Sequence, residues 1–250
     1  MDRLEATELL DLWERGLAQS PPRRIAALLR AAWPDASCGD VLDWPLGLRD
    51  ARLLALRRRL FGSDLTLVSR CPSCGDAVET TFSVDDVLLP DDARAETVDQ
   101  AGGTIARSNY TVAFRLPTLG DVVAIAEGAP LTPATVRERL LARCVDVRAA
   151  DGSPAELSAV PFGVIDEIVD AMAEADPQAD VQLACVCPAC DRAWLALFDI
   201  ATVLWTEIHA WARQLLRDVH VLARAYGWRE SDIVTLSPTR RRMYLELAAR

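Results

Sequence analysis

Four of the seven cysteines fall in two Cys-Pro-x-Cys turns. Cys71 and Cys74 lie in "RCPSCGDAVETTF", residues 70–82, and Cys187 and Cys190 in "VCPACDRAWLALF", residues 186–198. Two thiolates in such a turn can reach one ion. Two turns together supply the tetrahedral four-thiolate set that Zn²⁺ prefers, with Zn–S distances near about 2.3 Å. The proline after each first cysteine stiffens the turn. The small residues Ser73 and Ala189 leave space for backbone N–H groups to face the sulfurs. A closed four-thiolate site has no open position for water. The zinc expected here is therefore structural, contributing on the order of 10 kcal/mol of apparent folding free energy. Other readings of the same residues are two separate thiol pairs, a site that has lost its metal, and iron in place of zinc. A redox Cys-x-x-Cys would call for a thioredoxin-like βαβ unit, and neither turn has that pattern around it. Cys185 is either a competing ligand or a buried core thiol, and Cys38 and Cys144 read as core residues.

The two turns belong to an internal repeat. With Cys71 set on Cys187, Cys74 meets Cys190, Phe82 meets Phe198, and Val84 meets Ile200. Each copy has apolar residues before the first cysteine and an alternating run after the second, which predicts a β-hairpin with two thiols in its turn. Between Cys74 and Cys187 lie 112 residues, far more than in an ordinary zinc ribbon. The intervening segment then reads as an insertion between the ribbon's two halves.

The elements that must position these turns follow from periodicity. Residues 2–17 and 22–32 predict helices, as does "WPLGLRDARLLALRRRLFG", closed by Gly62. Strands are expected at "DLTLVS" and "AVETTFSV", a loop at "LPDDARAE", and a hairpin from "GGT" and "NYTVAFRLP", with Gly102 and Gly103 as a turn. Helices follow at "LGDVVAIAEG", at "TPATVRERLLARCV" with Thr132 as N-cap and Pro133 at N1, and at "PFGVIDEIVDAMAEADP". The stretch "AADGSPAELSAVP" reads as a loop. Strands return at "DVQLACV" and "AWLALFDI". The fold class expected is α+β: mostly helical, with a split four-cysteine zinc-ribbon-like β element and a long C-terminal helix. The expected organisation is an N-terminal helical region (1–62), a first knuckle with strands (63–116), a helical insertion (117–178), a second knuckle with strands (179–200) and a C-terminal helical region (201–250).

Composition narrows the function. The net charge of −10 argues against a nucleic-acid or anionic-membrane binder, because phosphate contacts need a basic surface. No apolar run reaches the roughly 18 residues of a membrane span. The N-terminal stretch is acidic with helical spacing and predicts no signal peptide, so a cytoplasmic location is expected. The two histidines, His209 and His220, are roughly 16 Å apart along one predicted helix and cannot share a metal ion. They read as surface or interface residues. The acid pairs Asp85–Asp86 and Asp91–Asp92 read as solvated. No nucleophile elbow, phosphate loop or dinucleotide glycine motif occurs, so neither an enzyme nor a small-molecule site is expected.

The C-terminal fifty residues predict a helix over 201–226, about 39 Å long, with an apolar stripe at 204, 208, 211, 215, 219, 222 and 226. Gly227 ends it. A short helix follows, then a last one with Ser237 as N-cap and Pro238 at N1. In that last helix Met243, Tyr244 and Leu247 are expected on one face, with Arg240 to Arg242 largely on the other, solvated or meeting an acidic partner. Tyr226, Trp228, Ile233, Leu236 and Tyr244 are the expected partner contacts, because this short tail is rich in large apolar side chains.

These residues resemble the T4-type bacteriophage baseplate proteins, also described as T4-family baseplate hub assembly chaperones and found beside contractile injection systems. The resemblance rests on the knuckles and "FRLPTLGDVVAIA" (114–126). It also rests on Trp194, Phe198-Asp199-Ile200, Leu204-Trp205, Glu207-Ile208, Trp211, His220, Leu222 to Trp228, Asp232-Ile233, Leu236 to Pro238 and Arg240 to Leu247. It covers most of residues 50–250. Arg229 departs from it, standing where a helix-capping Ser is expected. The "YGW…DI..L" segment also looks like the ends of small phage tail-assembly proteins that bind the hub or tape measure. The resemblance implies an assembly or structural role in a contractile-tail baseplate, with hub, tape-measure or other tail proteins as partners, in the cytoplasm or in the assembled particle. The rival reading from the cysteines alone is a zinc-ribbon nucleic-acid or transcription-associated binding module.

Overall fold

The computed structural model describes residues 4–34, 39–90, 102–107, 109–128 and 131–249. Cys38, Asp91–Asp92 and most of the "LPDDARAE" loop lie outside the described residues. The chain is α+β and largely helical, and it divides into two compact units, one of residues 1–35 with 201–250 and the other of residues 36–200.

Among its described residues, the regular elements of the first unit are all helices. It contains α1 (Ala6–Gly16), α2 (Pro21–Ala32) and, from the C-terminal region, the long α8 (Ile200–Tyr226), α9 (Glu230–Val234) and α10 (Pro238–Ala248). Of the expected α8 stripe Leu204, Ile208, Leu215 and Leu222 are buried, Trp211 and Val219 are half-buried and Tyr226 is exposed; Ala212, outside that stripe, is buried, as are Leu9, Leu12, Leu28 and Leu29. Trp205 fixes the packing of α8: its ring fills the space that a side chain at Gly16 would need, and Arg24 lies over it at 4.9 Å. His209 is half-buried and accepts a hydrogen bond at Nδ1 from the Trp13 indole (3.1 Å), so it is an internal polar partner, not a surface group. His220 is exposed.

The second unit begins with α3 (Leu46–Phe61), which ends at Gly62 in the left-handed region (φ 93°). Gly47, in its first turn, has no side chain for a reason of space. A Cβ there would fall 1.7 Å from the Asp176 carboxylate, which accepts the Gly47 N–H at 2.8 Å. Burial raises the Asp176 pKa, opposed by that N–H and by Arg49. Then come β1 (Asp64–Arg70), β2 (Ala77–Ser83) and the single turn α4 (Val84–Val87), where Asp85 pairs with Arg58 (2.7 Å) and Asp86 accepts the Ser83 N–H.

A second sheet follows, with β3 (Gly102–Arg107) and β4 (Tyr110–Arg115), then α5 (Leu119–Ala126), α6 (Pro133–Cys144) and β5 (Val145–Ala149). Its order is β3-β4-β5, antiparallel throughout. Two expectations change here. Gly102 and Gly103 start strand β3 instead of forming a turn, because a Cβ on either would strike Phe114 on β4. Strand β5 replaces what read as the end of a helix and an unassigned stretch. Helix α7 (Phe162–Ala175) packs on this sheet, with Ile168 fully buried against a cluster that includes Val112, Val147 and Val160. The unit closes with β6 (Gln182–Val186) and β7 (Ala193–Leu197).

One buried ionic node locks the insertion. Asp121 on α5 is 3% exposed and receives a bidentate bond from Arg115 (2.6 and 2.9 Å), another from Arg143 Nε (2.9 Å), and the Thr118 N–H (3.0 Å). Burial acts to raise its pKa. The bonds from Arg115, the Thr118 N–H and Arg143 more than reverse this, holding the carboxyl well below the usual range. Cys144 is buried beside it, with its thiol pushed up to about 11, first by that burial.

Candidate metal centre

Both Cys-Pro-x-Cys turns are hairpin tips, one joining β1 to β2 and the other β6 to β7. The two tips share one backbone design. In each, the first cysteine's N–H donates to the carbonyl five residues on (Cys71 to Asp76, Cys187 to Arg192, both 2.9 Å). In each, the residue after the second cysteine returns its N–H to the first cysteine's carbonyl (Gly75 to Cys71, 3.0 Å; Asp191 to Cys187, 2.9 Å). That return bond needs a left-handed residue. Gly75 sits at φ 80°, and Asp191 at φ 55° is the one non-glycine with positive φ among the described residues. Aspartate is among the few side chains tolerated there.

The repeat brings the two hairpins together. Phe82 and Phe198, which align in sequence, meet edge to face with centroids 5.2 Å apart. Val84 and Ile200, the next aligned pair, are both buried. Gln178, itself buried, ties the exit of the first hairpin to the approach of the second: its amide accepts the Leu89 N–H (2.8 Å) and donates to the Val87 carbonyl (3.1 Å).

At the tips the sulfurs converge. Cys71 Sγ lies 3.6 Å from Cys190 Sγ and Cys74 Sγ 3.5 Å from Cys187 Sγ, and all four lie within 4.8 Å of one another. These are not disulfide distances, which are about 2.05 Å, and the thiols are free. A tetrahedron with metal–sulfur bonds of about 2.3 Å has edges of about 3.8 Å, so the donor set fits a zinc-sized ion. One thiol of each turn is buried (Cys71, Cys187) and the other exposed (Cys74, Cys190). Val78 and Trp194 pack beneath them.

The sulfurs compete electrostatically. The Cys71 thiol is lowered to about 6, first by the Cys74 backbone N–H, against desolvation, and then by the Ser73 N–H and the Cys190 and Cys74 thiols. Cys74 is pushed up to about 12. The Asp76 N–H favours its thiolate but is outweighed by Cys187, desolvation, Cys71 and Cys190. Cys185 is buried with its sulfur 3.6 Å from Thr80 Oγ, outside the cluster.

The five expected partner contacts fall in the other unit and separate into two kinds. Tyr226, Trp228 and Tyr244 form one aromatic cluster. Tyr226 stacks on Trp228 (4.8 Å), and Tyr244 meets both edge to face. Tyr226 is exposed, and Trp228, Tyr244 and Leu236 are half-buried. Ile233 is fully buried and belongs to the unit's own core. The last helix also presents a different face from the one expected. Arg241 is buried and pairs with Asp218 (3.2 Å), while Met243 and Leu247 point to solvent. The reason lies on α8, where Asp218 interrupts the apolar stripe and a buried carboxylate requires a cation. Arg229 begins α9 without a capping side chain, and the Asp232 carboxylate receives its N–H instead (3.4 Å).

Paired thiol hairpins packed tip to tip around an inserted α+β segment define a cross-tied, two-hairpin protein. The chain belongs to the family described as T4 bacteriophage base plate protein, which matches residues 36–205. That span is nearly the second compact unit, thiol cluster included. The part of the resemblance from Glu207 onward lies beyond the match. No curated protein and no solved structure matches the chain. The family ties the chain to the phage baseplate, in a structural or assembly role among other tail and baseplate proteins. Among the described residues, no helix is long and apolar enough to cross a membrane.

Proposed function

We propose that the protein acts by protein–protein binding, without catalysis, in the assembly of a phage-like contractile tail or injection-system baseplate. A structural Zn²⁺ held by Cys71, Cys74, Cys187 and Cys190 ties its family unit together. The observation that carries this reading is the coincidence of the family match with the compact unit that the thiol cluster closes. Four thiolates around one zinc leave no site for water or substrate, so the metal's contribution is to folding. The family unit then presents its surfaces to tail components as a preformed body. A nucleic-acid role is disfavoured by the net charge of −10.

The test is deletion of the gene in its native host. Sheath and tube proteins should be expressed while complete contractile particles are absent. Mass spectrometry of purified wild-type particles then assigns the finer role. A chaperone is missing from them, and a permanent subunit appears at fixed stoichiometry. Normal particle numbers in the deletion strain overturn the proposal.

A further inference from the structure

The three-stranded sheet of the family unit has β4 in its middle, so among the described residues β3 pairs along one edge only. Along its other edge α7 faces β3. Between them is a groove of about 460 Å³, walled by Thr104, Ile105, Ala106 and Arg107 on the strand side and by Glu167, Asp170, Ala171 and Glu174 on the helix side. The helix residues are spaced i, i+3, i+4 and i+7 and form one face. Three of them are acids, and the fourth is Ala171.

Two features say what fits. An unpaired strand edge offers backbone N–H and C=O groups to another extended segment. The facing wall is negative, and the chain itself shows how a guanidinium seats there: Arg107 Nε reaches Glu167 Oε2 at 3.0 Å. Asp170 and Glu174 are exposed and have no ion-pair partner among the described residues. One helical turn from Asp170 to Glu174 advances about 6 Å. Alternate side chains on an extended strand are about 6.6 Å apart. Basic residues two apart on an added strand are therefore spaced to meet both acids.

We propose that this groove binds an extended, basic segment of a partner protein, which adds as a strand to β3 and places alternate Arg or Lys side chains on Asp170 and Glu174. The proposal deepens the binding role given above and rests on it for its biology, whereas its test reads the groove alone. Failure of the peptide experiment and failure of the deletion experiment are thus distinguishable.

The test uses the full chain labelled with ¹⁵N and titrated with an acetylated hexapeptide of alternating Arg and Val. The expected result is saturable amide shifts centred on β3 and the 167–174 face of α7. The double variant Asp170→Arg/Glu174→Arg, at exposed positions, should weaken binding at least tenfold with an otherwise unchanged amide spectrum. Alternate N-methylation of the peptide, which blocks strand pairing but keeps its charge, should weaken binding by a similar factor. If the double variant does not fold, raised salt on the wild type must produce the same weakening. Equal binding of a Glu-Val peptide, shifts centred elsewhere, or binding indifferent to N-methylation would overturn the proposal.

Discussion

Asp121 offers the sharpest test of what holds the inserted segment. Replacing it with Ala removes six hydrogen bonds: three guanidinium bonds of 2.6 to 2.9 Å from two arginines, two from the Thr118 N–H and hydroxyl, and a long one from the Cys144 thiol. Breaking a buried ion pair costs about 3–5 kcal/mol, mostly from the charge left behind. Here the charges left behind are Arg115 and Arg143, whose side chains are 44% and 46% exposed and recover hydration. The loss should therefore sit at the low end, about 3 kcal/mol, equivalent to a drop of roughly 6–12 °C in Tm for a chain of this size. Asp121→Asn keeps an acceptor for the Thr118 N–H, worth about 1 kcal/mol as a cap, and should cost about 2 kcal/mol. The pH dependence has a definite sign. The folded-state pKa is depressed, so the stabilisation is fully present above the unfolded value near about 3.9 and is lost as pH falls through the folded value. Urea unfolding followed by far-UV circular dichroism at pH 7, 5, 4 and 3 should show the wild type and Asp121→Asn converging below pH 4. A difference under about 0.5 kcal/mol at pH 7, or one that stays constant down to pH 3, would refute this account of the node.

Two further outcomes follow from the thiol tips. Purified protein should carry about one zinc per chain by elemental analysis. Cys71→Ser and Cys190→Ser should each lose it, whereas Cys185→Ser should keep it; a metal-free wild type with all thiols freely titratable would dismiss the site. The left-handed residues should respond in opposite directions. Gly75→Val should destabilise by about 1–2 kcal/mol, and Asp191→Gly should be neutral or stabilising by a few tenths, as thermal unfolding would record.

The approach of the four thiols was legible because its signals are local. A cysteine, a proline and a small residue define each turn, and duplication of that pattern pointed to a shared site. The left-handed conformation of Asp191 was not read from the sequence, since aspartate alone does not demand it. Strand β5 was hidden because it has five residues and follows α6 directly, Cys144 to Val145, with no turn residue between them. The paired glycines at 102 and 103 carry a turn signal, but the close approach of Phe114 decides their role, and that is a contact between strands. Arg241 was assigned outward with its neighbours because nothing in "TRRRMY" reveals a carboxylate 23 positions upstream. The aromatic trio of Tyr226, Trp228 and Tyr244 is likewise a tertiary cluster, which composition alone reads as spare apolar surface.

The distance along the chain between the two hairpins has a consequence in time. Cys74 and its nearest counterpart, Cys187, are 113 positions apart. A ribosome adding about 5–20 residues per second needs roughly 6–23 s to deliver the second tip after the first. Throughout that interval Phe82 lacks its edge-to-face partner, and Cys71 and Cys74 face no opposing thiols. The β1–β2 hairpin is only marginally stable by itself, as isolated two-stranded hairpins are. The sheet, α5, α6 and α7 can form from contacts within residues 102–175 while the first tip waits. Closure of the unit is then a late event on the nascent chain, set by the arrival of the β6–β7 hairpin.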